Sequence, residues 1–120
     1  MPAQKPQDIH AHFLDAFNRG DVQALVALYE PGALLVTGRG TAVGHEAIRE
    51  AYQHILDGGS RMELRTHVVL ESGDGVAVLH AIWTYHRGKD AVSGLSTEVV
   101  RRQPDRSWLF VIDEPRTPKN

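Results

Sequence analysis

The sequence contains no cysteine. This absence excludes disulfide bonds, thiol nucleophiles and thiolate metal ligands, and it leaves the redox compartment undecided. Long apolar runs are also missing: nowhere do about 18 apolar residues follow one another, so no transmembrane helix is predicted. The formal net charge is −2 and the basic residues are scattered, so the sequence predicts no partner among nucleic acids or membranes.

The first residues, MPAQKPQD, lack the apolar segment of a secretory signal peptide, and a cytoplasmic location is the simplest prediction. Residues 1–5 are predicted to form a short disordered lead-in. Hydrophobic residues make up 42% and charged residues 23% of the chain, which is ordinary for a soluble globular protein. A chain of 120 residues can bury a core without covalent cross-links, so we predict a single domain spanning residues 1–120.

Three segments show apolar residues at three- and four-residue spacing, which predicts three amphipathic helices. The first runs from about Pro6 to Asn18-Arg19-Gly20. The second begins after Asp21, a favourable N-cap, and continues through Tyr29 to Pro31-Gly32. The third follows Gly44-His45 and ends at Asp57-Gly58-Gly59-Ser60.

Runs rich in β-branched, aliphatic and aromatic residues predict the strands, which cover residues 33–37, 41–43, 61–71, 75–87, 94–103 and 108–114. Clusters of turn-forming residues separate the last four of them, at residues 72–75, 87–90 and 103–107. Three helices followed by a long antiparallel series predict an α+β fold with the helices packed on one face of a curved sheet.

The turns suggest a register in which Gln103 lies opposite Trp108, Glu71 opposite Val76, and Arg87 opposite Val92. Because strand side chains alternate between faces, this register puts Glu98 opposite Asp113 on the sheet face that packs against the helices. The same face is predicted to line a pocket with Met62, Trp83, Tyr85 and Ser96.

The opposite face of the sheet is predicted to expose Trp108, Phe110 and Ile112. An exposed apolar patch of that size usually marks an interface. We therefore expect this outer face to bind a second copy of the chain.

Glu98 and Asp113 form the candidate catalytic pair. Like charges side by side on an apolar surface raise a carboxyl pKa through repulsion and desolvation, so one of the two can hold a proton near neutral pH. That is the requirement for general acid–base catalysis. The alternative is structural: Asp113 caps turn amides before Pro115, and Glu98 pairs with an arginine.

The segment STEVVRRQPDRSWLFVIDEP, with FNRGDVQALVALYEPGALLV and GHEAIREAYQHIL upstream, resembles the SnoaL-like, ketosteroid-isomerase-like group of the nuclear-transport-factor-2-like superfamily. The resemblance covers about residues 9–115. It implies a cone-shaped, curved antiparallel sheet with three helices on its concave face, and a homodimer formed through the outer sheet face. It also implies that Asp113 corresponds to the late-strand aspartate that acts as acid or base in SnoaL-type cyclases. No tyrosine-plus-aspartate pair of the isomerase kind is evident, which argues against steroid isomerisation.

Trp83, Tyr85, Met62 and Ser96 are the candidate substrate-binding residues, although Trp83 suits an ordinary core equally well and Tyr85, near the end of its strand, better suits the core or the rim of the pocket. No metal or other cofactor is predicted: His10 and His12 are two apart on a helix and do not share a face, and no zinc-binding spacing occurs. The histidines of the outer face, His67 and His80, lack a third ligand nearby.

The sequence thus predicts a cofactor-independent isomerase, cyclase or dehydratase acting on a small apolar carbonyl metabolite. In this hypothesis Asp113 abstracts or shuttles a proton, and Glu98 tunes its pKa or donates a hydrogen bond. Two alternatives stay open. One is a non-catalytic dimeric module that binds a small hydrophobic ligand, and the other is a structural dimer whose pocket is filled by side chains.

Overall fold

A computed structural model describes residues 4–116. These residues form three helices and seven strands, in the order α1 Asp8–Arg19, α2 Val22–Val26, β1 Tyr29–Thr37, β2 Gly40–Val43, α3 His45–Asp57, β3 Arg61–Glu71, β4 Val76–Arg87, β5 Asp90–Leu95, β6 Thr97–Arg102 and β7 Trp108–Glu114. The lead-in predicted for residues 1–5 lies largely outside the described part of the chain.

Helix ends follow the local signals, with one exception. Helix α1 ends at Gly20, whose φ of 69° suits a glycine, and the Asp21 side chain caps α2 by accepting a hydrogen bond from the Ala24 amide at 3.0 Å. Helix α2 is shorter than predicted, because Tyr29 is the first residue of β1 and pairs with Phe110 of β7. Burial of Tyr29 against β7 outweighs its helical spacing.

The strands form one mixed sheet in the order β2-β1-β7-β6-β4-β3, with β5 also paired to β4. Neighbouring strands are antiparallel except β1 and β7, which run parallel with Leu35 beside Asp113. This parallel pair was not predicted, because strands so far apart in sequence share no turn that would reveal their pairing. The helices pack on one face of the curved sheet and give the α+β architecture that was predicted.

Two β-bulges correct the predicted registers. Arg102, not Gln103, lies opposite Trp108, and an irregularity between Val99 and Val100 then restores Glu98 opposite Asp113. A bulge inserts one extra residue and reverses the alternation of the strand beyond it. The prediction was therefore wrong at the turn and correct for the carboxylate pair.

The hairpin of β3 and β4 differs from prediction in the same way. Glu71 lies opposite Ala77, not Val76, and a bulge between Thr66 and Val68 brings the far end back into the predicted register. Arg87 pairs with Asp90, not Val92. The strand predicted for residues 94–103 is divided at Ser96, so that β5 and β6 lie end to end along β4.

The predicted exposed patch is wrong for two of its three residues. Trp108 and Phe110 are 3% and 2% exposed and belong to the core, whereas Ile112 is 41% exposed. The bulge in β7 turns Trp108 and Phe110 towards the helices and leaves Ile112 outside.

The core lies between the helices and the inner face of the sheet. Phe13 of α1 is at its centre, with ring contacts to Phe17, Tyr52 and Phe110 at centroid distances of 5.9, 6.0 and 6.3 Å. None of the helices in residues 4–116 is long and apolar enough to cross a membrane.

Candidate functional site

A cavity of about 400 Å³ opens between the helices and the inner face of the sheet. Its wall is mostly apolar, with a few polar groups, and its volume is in the range of small-molecule sites. The apolar wall includes Phe13, Phe17, Leu35, Ile55, Met62, Leu64, Trp83 and Phe110. Side chains do not fill this space, so the alternative of a closed structural dimer finds no support.

Glu98 and Asp113 lie directly opposite each other on β6 and β7, and both line the cavity. They are 3% and 5% exposed. Residues in this arrangement place their Cβ atoms about 5 Å apart. Two carboxyl groups are therefore buried side by side in an apolar wall.

Asp113 is the carboxyl group whose protonation is most strongly altered. Burial, followed by the neighbouring charge of Glu98, raises the pKa of Asp113 from 3.8 to about 8. The Tyr29 hydroxyl donates a hydrogen bond to Oδ2 of Asp113, which opposes the increase. Asp113 is consequently protonated for the most part at neutral pH.

A second tyrosine extends this hydrogen-bonded chain. The hydroxyl oxygens of Tyr29 and Tyr52 are 2.5 Å apart, and Tyr52 lines the cavity. Burial raises the pKa of both hydroxyls well above the ordinary value of 10, so both stay protonated and keep a proton to donate. The chain Tyr52–Tyr29–Asp113 thus links α3, β1 and β7.

Glu98 has a different partner. Its Oε1 lies 2.6 Å from Nε2 of His10, and Nδ1 of His10 lies 2.7 Å from the Thr66 hydroxyl. Because a threonine hydroxyl both donates and accepts, this arrangement satisfies neutral and protonated His10 alike. The structural alternative that paired Glu98 with an arginine is therefore wrong, and Asp113 bonds to Tyr29 instead of capping a turn.

One oxygen of each carboxyl group remains available to the cavity. The hydrogen bonds of Glu98 and Asp113 within residues 4–116 use Oε1 and Oδ2. No fully buried side-chain nitrogen or oxygen in the described chain lacks a partner. Oε2 of Glu98 and Oδ1 of Asp113 must therefore face the open space of the cavity.

The four candidate substrate-binding residues also line the cavity, but their polar atoms are engaged within the protein. Trp83 Nε1 donates to the Pro115 carbonyl at 2.6 Å, and the Tyr85 hydroxyl lies 2.5 Å from that of Ser60. The Ser96 hydroxyl accepts from the Ala81 amide at 3.1 Å. With Met62, these residues present mainly apolar surface, and their contact with a substrate stays a prediction.

Sequence reasoning missed His10, Tyr29 and Tyr52. Nothing in the sequence indicated that Tyr29 donates a hydrogen bond to Asp113. Both tyrosines sit at helical spacing among apolar residues and resemble core residues. His10 gave a usable signal: it stands three residues before Phe13 and seven before Phe17, on the apolar stripe of α1, where a polar residue needs a buried partner.

The residues that the structure describes contain no group of three or more histidine, aspartate or glutamate side chains placed to hold a metal ion.

Solved structures with a similar fold include three from bacteria. A ketosteroid isomerase-like protein from Erwinia carotovora atroseptica SCRI1043 superposes with a TM-score of 0.75 and 21% identity over 90% of this chain and 89% of that one. An NTF-2 like protein of unknown function from Shewanella oneidensis MR-1 gives a TM-score of 0.77 and 20% identity over 88% of this chain and 91% of that one. A putative calcium/calmodulin dependent protein kinase II association domain from Xanthomonas campestris superposes with a TM-score of 0.77 and 18% identity over 93% of this chain and 84% of that one.

At these identities the structural likeness establishes the fold alone, a nuclear-transport-factor-2-like α+β fold. Comparison with curated proteins gave no match. The family model described as the SnoaL-like domain matches residues 10–110, a range that includes Glu98 and ends three residues before Asp113. This chain therefore belongs to the SnoaL-like domain family.

Proposed function

We propose that this protein is a cofactor-independent acid–base enzyme of the isomerase, cyclase or dehydratase type, acting on a small apolar carbonyl compound. The observation that carries the proposal is the pair of buried carboxyl groups, Glu98 and Asp113, in the wall of an otherwise apolar cavity of about 400 Å³. The family to which the chain belongs includes isomerases and cyclases, which fits this chemistry.

Asp113 is proposed as the acid. Its pKa of about 8 keeps it mostly protonated at neutral pH, and Tyr29 donates to Oδ2. The acidic proton then lies on Oδ1, the oxygen that faces the cavity. A carboxylic acid held neutral in this way donates a hydrogen bond to a carbonyl oxygen and stabilises the negative charge that develops there.

Glu98 is proposed as the base. His10 holds Oε1 and leaves Oε2 directed to the cavity. Glu98 removes a proton from the carbon next to the carbonyl group, and the resulting enol oxygen keeps the hydrogen bond from Asp113. Return of this proton from Glu98 to the far carbon of a conjugated enolate completes an isomerisation. Its transfer from Glu98 to a β-hydroxyl group, which then leaves as water, completes a dehydration. The raised pKa of Asp113 favours these roles over the reverse assignment predicted from the sequence.

Proton exchange tests the proposal without knowledge of the natural substrate. β-Tetralone is a small apolar ketone with exchangeable α-protons, and NMR follows their replacement by deuterium in D2O. We expect the protein to catalyse this exchange and Asp113→Asn and Glu98→Gln to reduce the rate by about 100-fold or more while keeping the fold.

Glu50→Gln is the matched control, because Glu50 is an exposed carboxylate on α3 and is not among the residues that line the cavity. An exchange rate that is the same in Asp113→Asn, Glu98→Gln and the control would contradict the assignment. A ligand bound equally well by all variants and recovered unchanged would instead indicate the alternative, a non-catalytic binding module.

We also propose a homodimer formed through the outer sheet face. The registers align Ile112, Val99, Val78 and Leu70 across β7, β6, β4 and β3, so four aliphatic side chains cross the outer face as one stripe. Ile112 and Leu70 are exposed at the two ends of this stripe. Packing it against a second copy would remove the apolar surface from water.

A further inference from the structure

The cavity wall carries few polar groups that are free to meet a ligand. His10 and Tyr52 have partners within the site, and Trp83, Tyr85 and Ser96 bond to neighbouring residues. The hydroxyl of Thr37, also in the wall, donates to the Gly40 carbonyl at 2.7 Å. Among the lining residues, this leaves the free oxygens of Glu98 and Asp113 and one further group, the guanidinium of Arg116.

Arg116 is exposed, and its guanidinium forms no ion pair with an acidic side chain within residues 4–116. Its backbone amide donates to Oε1 of Glu114 at 2.9 Å. The preceding residue is held by the bond between Trp83 and the Pro115 carbonyl. A positive charge is thus held at the cavity with its hydrogen-bonding groups available.

The topology separates this charge from the carboxyl pair. Strands β1 and β7 run parallel with Leu35 beside Asp113, and Gly38 and Arg116 each follow three residues later. Gly38 and Arg116 lie just beyond the ends of β1 and β7, and three residues of chain span at most about 10 Å. Nη2 of Arg116 lies 3.5 Å from the position that a Cβ on Gly38 would occupy, and both residues line the cavity. Backbone geometry therefore gives the cavity an acidic end and a basic end.

This distribution of charge selects one ligand orientation. A carboxylate next to Glu98 would meet a like charge in an apolar surround, whereas beside Arg116 it would form charge-assisted hydrogen bonds. We propose that the cavity takes an apolar carbonyl compound that carries a carboxylate, which Arg116 binds while the carbonyl group meets Asp113. The identification of this ligand as a substrate rests on the proposed function, but the binding preference does not.

Two fluorescent probes that differ by one anionic group test the preference. Anilinonaphthalene sulfonate is apolar and carries a sulfonate, which stands in for the carboxylate; N-phenyl-naphthylamine is the same ring system without it. Fluorescence titration of both probes gives their Kd values for the wild type, Arg116→Gln, Arg116→Lys and Arg65→Gln. Arg65 is the control, since it is exposed on β3 and is not a lining residue.

We expect Arg116→Gln to weaken sulfonate binding by about five- to tenfold and to change N-phenyl-naphthylamine binding by less than about twofold. Arg116→Lys should retain most of the sulfonate affinity, and Arg65→Gln should match the wild type. Equal losses for both probes, or an unchanged sulfonate Kd in Arg116→Gln, would overturn the inference.

Asp113→Asn separates this inference from the proposed function. The variant keeps Arg116, so the preference for the sulfonate should persist in it even though proton exchange is lost. Absence of catalysis in the wild type, with the Arg116-dependent preference intact, would reject the enzyme and leave the anion site standing.

Discussion

Asp113 shows how a single buried side chain couples the site to the stability of the protein. Its pKa is about 8 in the folded protein and 3.8 in the exposed state, so the folded chain binds more protons between these two pH values. Stability therefore falls as pH rises from about 4 to about 8, and it is insensitive to this group outside that window.

Asp113→Asn should remove this dependence. As the pH rises from 5 to 9, the free energy of unfolding of the wild type should fall by up to about 4 kcal/mol relative to that of the variant, because asparagine does not ionise. Urea unfolding at both pH values measures the difference. Glu50→Gln, at an exposed position on α3, is the control, and parallel pH dependences of Asp113→Asn and wild type would show that Asp113 is not held protonated.

At the same scale, the carboxylate pair could be predicted from the sequence but its partners could not. Strand alternation and turn positions put Glu98 beside Asp113, but the pairing holds only because the bulge between Val99 and Val100 offsets the one-residue error at the turn. His10 and Tyr29 reach the pair from α1 and β1, which are 88 and 84 residues away in sequence. Contacts over such separations depend on how the helices pack on the sheet, and no local pattern encodes that.

At the scale of the element, strand β5 supports one wall of the cavity through a close approach. Gly94 pairs with Trp83 of β4, and the indole ring lies over the glycine, so a Cβ there would overlap the six-membered part of the ring. The absence of a side chain at Gly94 is what allows Trp83 to reach the Pro115 carbonyl.

Gly94→Ala should displace Trp83. We expect a loss of about 1–3 kcal/mol in the free energy of unfolding and weaker N-phenyl-naphthylamine binding, because the ring must shift and release Pro115. Urea unfolding and fluorescence titration measure the two effects. Ala91→Val, an exposed position on the same strand, serves as the control, and wild-type behaviour of Gly94→Ala would disprove the packing argument.

Element boundaries were predictable where a local signal marks them, as at Gly20, Asp21 and Gly58. The bulges between Thr66 and Val68 and between Val99 and Val100 were not. A bulge lets a strand satisfy two conflicting demands, the geometry of its turn and the burial of its inner side chains. Turn residues alone do not reveal that conflict.

At the scale of the whole molecule, the proposed homodimer through the outer sheet face can be tested by its mass. We expect sedimentation equilibrium to give twice the chain mass of 13.3 kDa. Val99→Glu places a charge in the middle of the aliphatic stripe and should shift the protein towards the monomer, because that charge would be buried against a second copy.

Val43→Glu provides the matched comparison, since Val43 is an exposed valine on β2 outside the stripe. Equal masses for Val99→Glu, Val43→Glu and the wild type would mean that the stripe is not the interface. Trp108 and Phe110 do not contribute to it, because both face the core.

The sequence by itself determined the three helices, most strand bounds and the family, because periodicity, caps and turns act over a few residues. Only the tertiary structure decided that the cavity is open, that β1 runs parallel to β7, and that Tyr29 and His10 reach the carboxyl groups. It also decided the inward turn of Trp108 and the position of Arg116 beside Gly38. These features arise from contacts between segments far apart in the chain, where packing and burial outweigh local preference.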